Sequence, residues 1–271
     1  MPLNRRQFLR RSLAALVAMG FGVGVDTNQL RLERVAVSIP NLPPQLEGLR
    51  IGVMSDLHLG PLVPVERVRR AAELLVGQRP DLVLVAGDFT AVEDPELAQR
   101  LIDEALEPVA GAFGVLGNWD SPLCTLPRHA ARQQAVRILV NEGVSPVPGL
   151  WLAGLDSGLL GRPDLDRALA GAPPGTVRIV LVHEPDLADR VRPEHQVALQ
   201  ISGHTHGGQV RLPFVGPLFT PGLGQKYVAG LYQAPACQVY TTRGVGVSHL
   251  PIRLFCPPEV ALITLCRGEV G

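Results

Sequence analysis

The chain has little aromatic content, no excess of either charge and few cysteines. Aromatic residues make up 4% of its 271 residues, and only two of them are Trp. The 25 basic and 25 acidic side chains balance, so we predict no nucleic-acid partner. The four Cys residues show no paired spacing that would hold a metal through thiolates. They are interpreted as small buried apolar residues, with one disulfide of unassigned pairing as the alternative.

The first 27 residues have the composition of a targeting segment. The stretch NRRQFLRRSLAALVAMGFGVGV places Arg5 and Arg6 before a short apolar run and resembles a twin-arginine export signal. The apolar part, residues 13–25, is shorter than the roughly 20 residues of a comfortable membrane span. We predict a signal or N-terminal anchor over residues 1–27 and one folded α/β domain over residues 28–271. The alternative is an amphipathic or disordered basic tail.

Five short apolar runs recur along the rest of the chain, and each ends abruptly in polar residues. Runs without alternation are typical of strands that are buried on both faces. The five runs with their polar ends are LRIGVMSDLHLG, DLVLVAGDFT, GAFGVLGNWD, VRIVLVHEPD and VALQISGHTHGG. Between them the pattern predicts helices in PVERVRRAAELLVGQ, DPELAQRLIDEAL and LPRHAARQQAVRILVNEG, the last ending at Gly143. Beyond residue 208 it predicts strands and turns.

Nearly all the metal-binding side chains at the ends of these runs are Asp, His or Asn. Because sites in open α/β sheets form at the carboxyl ends of strands, we expect these side chains to converge on one cleft. The seven donors are Asp56, His58, Asp88, Asn118, His183, His204 and His206. Oxygen and imidazole donors without thiolate suit Mn, Fe or Zn. Seven donors are too many for one tetrahedral ion, so we predict two divalent ions, with the choice among these metals open.

The ordered motifs DLH, GD, GN-x-D, a lone H and GHTH resemble the calcineurin-like metallophosphoesterase superfamily over residues 49–209. The segments GHTHGGQVRLPFVGP, KYVAGLY and TTRGVGVSHLPIRLFCPPEVALITL are similar to its exported bacterial subgroup, the YkuE and YaeI type. The resemblance implies an α/β fold, a four-layer α/β/β/α sandwich of two mixed sheets. It also implies a metal-dependent phosphoric ester hydrolase, of the phosphodiesterase or diphosphatase type.

The same resemblance implies how the donors divide between the ions. The first ion would be held by Asp56, His58, Asp88 and His206, and the second by Asp88, Asn118, His183 and His204. Asp88 would bridge, and two ions about 3.5–4 Å apart lower the pKa of a bridging water, whose hydroxide attacks phosphorus in line. The catalytic candidates are Asp88, Asn118, Trp119 and Asp120. Asp120 is interpreted either as an orienter of the ligand loop or as part of an Asx turn.

The chain departs from the family pattern at Trp119. Most of the family has a His there, thought to protonate the leaving oxygen, whereas an indole N–H only donates hydrogen bonds and is no acid near neutral pH. General acid catalysis is typically worth roughly 10²–10⁴-fold, so its loss should slow the enzyme rather than abolish it. We therefore predict a preference for diphosphates or activated esters, with Trp119 stacking on the substrate or donating to a phosphoryl oxygen.

The expected partners are a phosphorylated small molecule, lipid or cell-wall component as substrate, the twin-arginine export machinery, and a membrane surface. The expected location is the periplasm or the outer face of the cytoplasmic membrane. Three alternatives stay open. The first is a catalytically weakened metal-binding protein that binds phosphorylated envelope components. The second is a UDP-diacylglucosamine-type lipid-A pyrophosphatase, because such enzymes similarly lack the His at this point. The third is a cytoplasmic nucleotide enzyme whose N-terminal signal is spurious.

Overall fold

The computed structural model describes residues 29–120 and 136–268 of the chain. The predicted signal or anchor lies outside this part, as does Cys124. The three described Cys residues form no disulfide, and Cys237 and Cys256 are buried. Among the described helices, none has the length and hydropathy of a segment that could cross a bilayer.

Two six-stranded sheets carry the fold, and all five apolar runs form strands in them. The first sheet has the spatial order β1 (Arg31–Pro40), β14 (Glu259–Gly268), β2 (Arg50–Met54), β3 (Leu82–Val85), β4 (Ala112–Gly114) and β5 (Val136–Ile138). The second has the order β12 (Gly230–Gln233), β13 (Gln238–Thr241), β9 (Val197–Ser202), β8 (Val177–Leu181), β7 (Leu150–Gly154) and β6 (Glu142–Val144). A short hairpin lies outside both sheets and consists of β10 (Arg211–Leu212) and β11 (Gly216–Pro217).

Both sheets are mixed. In the first, β2 to β5 are parallel, whereas β14 runs antiparallel to β2 and pairs in parallel with β1. In the second, β13, β9, β8 and β7 are parallel, and β12 and β6 are antiparallel edge strands. The strands that end in predicted donors therefore run in one direction within each sheet, so their carboxyl ends share one edge.

The apolar runs place side chains on both faces of each sheet, which produces four layers. Ile51 and Leu84 of the first sheet pack with Ile179 and Leu199 of the second in the central core. The outer face of the first sheet is covered by two helices, α1 (Val65–Val76) and α2 (Pro95–Leu106). The outer face of the second sheet is covered by α3 (Leu165–Leu169) and a 3-10 segment over Pro185–Arg190. This arrangement confirms the predicted α/β sandwich of two mixed sheets.

The two helices on the first sheet form where the pattern predicts them. In α1 the buried residues are Val68, Ala71, Ala72 and Leu75, which lie on one face at helical spacing. The start of α2 is capped by Asp94, whose carboxylate accepts hydrogen bonds from the backbone amides of Glu96 and Leu97.

The third predicted helix is wrong in its described part. Residues 136–138 form β5, which pairs with β4, and residues 142–144 form β6 on the other sheet. Its earlier residues, 126–135, lie outside the described part. Short apolar runs such as VRI suit either structure, and here the free edge of β4 decides for the strand. The strands and turns predicted beyond residue 208 are confirmed.

Candidate metal centre

The predicted donors meet between the two sheets, at the carboxyl ends of five strands. The loops after β2, β3 and β4 bring the donors of the first sheet, and the loops after β8 and β9 bring those of the second. Within the described residues two groups have all their ligand atoms within 4.8 Å of one another: Asp56, His58 and His206, and Asp56, Asp88 and His183. Five of the seven predicted ligands therefore lie in one buried cluster.

Asp88 lies between imidazoles of both groups. Its Oδ2 is 3.2 Å from His183 Nε2 and 3.4 Å from His58 Nε2. Its other oxygen, Oδ1, accepts a hydrogen bond of 2.8 Å from the backbone amide of Trp119, so the carboxylate cannot turn freely. One oxygen facing two imidazoles from different sheets is the arrangement expected of a carboxylate shared by two ions.

His183 has the tautomer that a metal requires. Its Nδ1–H donates to the carbonyl of Ala86 at 2.6 Å, which leaves the lone pair on Nε2. Within the part of the chain that the structure describes, that Nε2 is buried without a hydrogen-bond partner. It faces Asp88 Oδ2, with Asp56 Oδ1 4.0 Å away. A lone pair opposite carboxylate oxygens is repulsive unless a proton or a metal cation lies between them. The residues therefore fit a divalent ion that takes the place of that proton.

The pKa shifts of the histidines in the cluster also fit a bound cation. Burial opposes protonation of His183, but the Asp88 and Asp56 carboxylates outweigh it and raise the pKa of His183 well above its usual value. Burial, followed by the neighbouring His58 and Arg253, lowers the pKa of His206 well below its usual value. The pocket therefore attracts positive charge on one side and keeps an imidazole neutral on the other, which is the state of a metal-binding His.

His204 and Asn118 lie at the edge of the cluster. The ring of His204 is 4.9 Å from that of His183, and its Nε2–H donates to the carbonyl of Gly222 at 2.8 Å, leaving Nδ1 available. The Oδ1 of Asn118 is buried and has no hydrogen-bond partner among the described residues. Both side chains line the same cavity as Asp88, so the structure brings them to the site.

The loops that carry the ligands have unusual backbone conformations. Five of the seven predicted ligands have positive φ angles, between 45° and 73°: Asp56, His58, Asp88, His204 and His206. Non-glycine residues adopt this region rarely, and they keep it where the surroundings determine it, typically at functional sites. Gly87 has φ 88°, and a Cβ there would lie 2.7 Å from His183 Nδ1, so only glycine fits beside this ligand.

Asp120 has the contacts of an orienting residue. It is buried, its Oδ1 accepts from the amide of Phe89, and its Oδ2 accepts from the amide of Gly117, both at 2.9 Å. These bonds join the loop that carries Asp88 to the loop that carries Asn118. Burial and the nearby Asp88 carboxylate raise the pKa of Asp120 to about 7. With both oxygens bonded to backbone, its geometry favours the first of the two predicted roles.

Trp119 lies at the mouth of the cluster. Its ring contacts that of His58 edge-on, with centroids 5.0 Å apart and planes at 86°. It also lines a cavity of about 370 Å³ that opens over Asp88, Asn118 and His206. The predicted position over the substrate is therefore sterically available to its indole.

His249 and Gln209 also lie in this cavity. Neither belongs to a motif with the spacing of metal ligands, and the sequence patterns predict no role for them. His249 is exposed, lines the cavity and lies 5.4 Å from the Trp119 ring. Gln209 holds the backbone on both sides of it: its Oε1 accepts from the Ser248 amide, and its Nε2 donates to the carbonyls of Ser248 and Leu250. In the sequence, His249 and Gln209 stand out only because they lie in the family-like segments that begin with GHTH.

Arg253 is a third residue without a predicted role, and it is fully buried behind the cluster. Its guanidinium donates to the carbonyls of His206, Gly246 and Arg243, among others. A buried arginine with bonded N–H groups fixes the loops that it joins. Arg253 therefore holds the ligand loop after β9 against the loop before β14.

Comparison with known proteins identifies the family to which the chain belongs. The model described as calcineurin-like phosphoesterase matches residues 49–208. Phosphodiesterase YaeI of Escherichia coli (strain K12) is 33% identical over 281 residues, which cover 97% of this chain and 99% of YaeI. The uncharacterized metallophosphoesterase YkuE of Bacillus subtilis (strain 168) is 30% identical over 283 residues, 97% of this chain and 98% of YkuE. A solved dimetal phosphatase from Danio rerio is 14% identical with a TM-score of 0.47, covering 81% of this chain and 94% of that one.

The match to the family extends over the five strand ends on which all seven predicted donors lie. A cluster of carboxylates and imidazoles that fits divalent ions is the chemistry that phosphoester hydrolysis by such ions requires. The chain therefore belongs to the calcineurin-like phosphoesterases and is a metal-dependent phosphoester hydrolase.

Proposed function

We propose that this protein hydrolyses phosphodiesters or diphosphates with two divalent ions, for which Mn, Fe and Zn are the candidates. The observation that carries the proposal is Asp88 Oδ2, which faces His183 at 3.2 Å and His58 at 3.4 Å. Shared coordination by one carboxylate holds two ions close enough to act on one phosphoryl group. The name of the YaeI relative, a phosphodiesterase, supports the diester substrate class.

The residues of the cluster and those around it would have separate roles: some bind the ions, and others position the ligand loops. When bound, the ions lower the pKa of a water and neutralise charge on the phosphoryl oxygens. Asp56, His58 and His206 would hold one ion, and His183, with Asn118 and His204 beside it, would hold the other. Asp88 would be shared by both. Asp120 and Arg253 keep the loops of these ligands in place through backbone hydrogen bonds.

The substrate preference follows from Trp119. Its indole lies at the cavity mouth, where it can stack or donate a hydrogen bond but cannot give up a proton. A leaving group that is already acidic, such as a phosphate or an aryl oxide, needs little proton assistance. We therefore infer a preference for diphosphates and aryl esters over simple alkyl esters.

A panel of substrates tests the reaction. Metal-free protein is reloaded with Mn²⁺ and assayed on aryl diesters, alkyl diesters, monoesters and diphosphates, beside Asp88→Asn and the control Asp103→Asn on α2. We expect metal-dependent turnover of diesters and diphosphates that Asp88→Asn abolishes and Asp103→Asn retains. Bound metal without turnover on the whole panel would contradict the proposal and favour a protein that only binds phosphorylated envelope components.

We also propose that the protein acts outside the cytoplasm, in the periplasm or on the outer face of the cytoplasmic membrane. The support is the sequence of residues 1–27, with Arg5 and Arg6 before a short apolar run. Cell fractionation of the native chain and of a variant with both residues changed to Lys tests this. Retention of the variant in the cytoplasm is expected, and equal distribution of the two would contradict export by this route.

A further inference from the structure

An exposed apolar surface extends from the cavity mouth, where Leu218, Phe219 and Leu250 line the cavity, to the tip of the hairpin formed by β10 and β11. We call it the apolar rim, and its members are Phe214, Val215, Leu218, Phe219, Leu250 and Ile252. Phe214 at the tip of the hairpin is fully exposed, and Phe219 and Val215 are 72% and 70% exposed. The two segments that supply the rim are joined by the bridge between Val210 and Leu254. Contiguous exposed apolar surface of this kind marks an interaction site.

The rim is continuous with the catalytic cavity. Leu218, Phe219 and Leu250 line the same cavity as Asp88 and His206. A protein partner seated permanently on this surface would close the entry to the cavity. A lipid bilayer would instead deliver a substrate to it, with the phosphoryl group at the ions and the acyl chains along the rim.

The charge around the rim suits an anionic membrane. Residues 196–258 contain no Asp or Glu. Lys226 pairs with Asp189 at 2.8 Å, so the basic residue that borders the uncharged stretch over residues 212–225 is Arg211. Arg211 donates to the carbonyl of Gly207 and so lies at the base of the hairpin. An apolar surface with a basic residue at its base and no acidic residue in its own segments fits a bilayer that contains anionic lipid.

The described part of the chain begins at the same edge. Arg31, the first residue of β1, pairs with Glu259 of β14, and its amide donates to the carbonyl of Pro258. Because β14 runs antiparallel to β2, β1 begins where β2 ends, beside the donor loops. A basic and apolar segment over residues 1–27 that anchors the chain would therefore hold the rim next to the bilayer.

We propose that the apolar rim docks on an anionic lipid bilayer and that the substrate is a lipid-linked phosphodiester or diphosphate taken from it. This rests on the proposed hydrolase function and names its substrate class. Each rim side chain that enters the bilayer would contribute about 1.5–3 kcal/mol of apolar burial, or roughly tenfold or more in binding.

Fluorescence of the full-length protein tests the docking. With Phe214→Trp, addition of phosphatidylcholine vesicles containing phosphatidylglycerol should shift the emission to shorter wavelength, and brominated lipid should quench it. The native protein, which contains Trp119 and Trp151, gives the background for both effects. The control is Val76→Trp, at the end of α1 away from the donor loops, which should show no change beyond that background. Emission of Phe214→Trp already shifted in buffer would overturn the proposal, because the N-terminal segment or a second copy would then cover the rim; sedimentation velocity separates those two cases.

Activity tests the substrate class separately. The double variant Phe214→Ser, Val215→Ser should cleave a soluble aryl diester normally and lose about tenfold or more on an aryl diester that carries an acyl chain in vesicles. Val76→Ser should retain both activities. Unchanged vesicle activity, or equal loss on both substrates, would overturn the docking. Absence of soluble turnover in the native protein would instead contradict the proposed hydrolase function, whatever the vesicle binding.

A second inference concerns the proton that Trp119 cannot supply. His249 lies beside Trp119 in the cavity, and the hydrogen bonds from Gln209 hold the backbone on both sides of it. Its φ of 58° is in the left-handed region, which a His keeps only where its surroundings determine it. The hydrogen bonds from Gln209 therefore hold the exposed imidazole of His249 at the cavity, on a different loop from the one that carries Trp119.

We propose that His249 serves as a partial replacement for the missing acid. The water oxygen bonds to phosphorus and its proton passes to solvent, the bond from phosphorus to the leaving oxygen breaks, and that oxygen receives the imidazolium proton of His249. The imidazole then regains a proton from solvent. Aryl and phosphate leaving groups need this step little, so His249 would matter chiefly for alkyl esters.

Dependence on the leaving group tests His249. His249→Gln should slow alkyl diesters by about 10²-fold and aryl diesters by less than about threefold. Gln209→Ala should also slow alkyl diesters more than aryl diesters, but by a smaller factor, because it removes only the hydrogen bonds that position His249. Adding Trp119→His to His249→Gln should restore alkyl turnover. Equal slowing of alkyl and aryl substrates, or no restoration by Trp119→His, would overturn the assignment.

Discussion

The ligand cluster and the rim above it are built in opposite ways. In the cluster, carboxylates and imidazoles are buried, and backbone amides or carbonyls bond Asp88, Asp120 and His183. In the rim, apolar side chains are exposed on a hairpin and a loop that has no acidic residue. The difference indicates that the cluster determines the chemistry, whereas the rim and its neighbours Trp119 and His249 select the substrate. Changes in the cluster should therefore affect all substrates, and changes around it only some.

The largest effect is expected from His183→Ala, which tests whether the cluster acts as a unit. It removes the imidazole that faces both Asp88 and Asp56, and with it the second ion. Because the ions supply several kcal/mol of charge stabilisation, turnover should fall at least about 10³-fold on every substrate. Metal analysis should show half the native content. A loss confined to one substrate class would contradict the division between cluster and rim.

Metal removal should have the next largest effect, on stability. Ions that bind only the folded chain contribute about 2.7 kcal/mol at a hundredfold excess over Kd, so chelation should lower Tm by roughly 5–10 °C. Scanning calorimetry with and without chelator measures it. The core variant Ile179→Val, between the sheets, should lower Tm equally in both states. An unchanged Tm on chelation would mean that the cluster holds no ion.

Asp120→Asn should have a moderate effect on the cluster. The amide oxygen of the variant can accept one of the two backbone N–H bonds that the carboxylate now accepts from Phe89 and Gly117, but its NH₂ cannot accept the other. Residues behind metal ligands typically contribute 10–100-fold, so we expect a loss of about that size in metal affinity, with all substrates affected alike. Metal titration and kcat measure it. Native affinity in the variant would show that these bonds do not position the ligands.

Trp119→His should have the smallest effect and the most selective one. An imidazole at the cavity mouth can protonate a leaving oxygen, so alkyl diesters should be cleaved about tenfold faster and aryl diesters within about twofold of native. The ratio of the two rates is the measurement. Equal acceleration of both substrates would show that Trp119 limits binding or positioning and not the leaving group.

Much of the fold could be predicted because its signals are local. The five apolar runs became strands, and the periodicities of α1 and α2 became helices, since each pattern depends only on neighbours along the chain. The helix predicted up to Gly143 is wrong over residues 136–138 because a short apolar run has no fixed preference. Pairing with the edge of β4 settled it, and the position of that edge is not a local property.

The kind of chemistry is a property of the residue types at the strand ends, which specify oxygen and imidazole ligands, and their order along the chain identifies the family. Which groups surround these ligands depends instead on how the folded chain packs. Asp120 bonds to Phe89 across 31 residues, and His249 reaches Trp119 across more than a hundred. Such contacts arise where two sheets pack and their loops converge. They depend on the packing of the whole chain, and no spacing within a single segment encodes them.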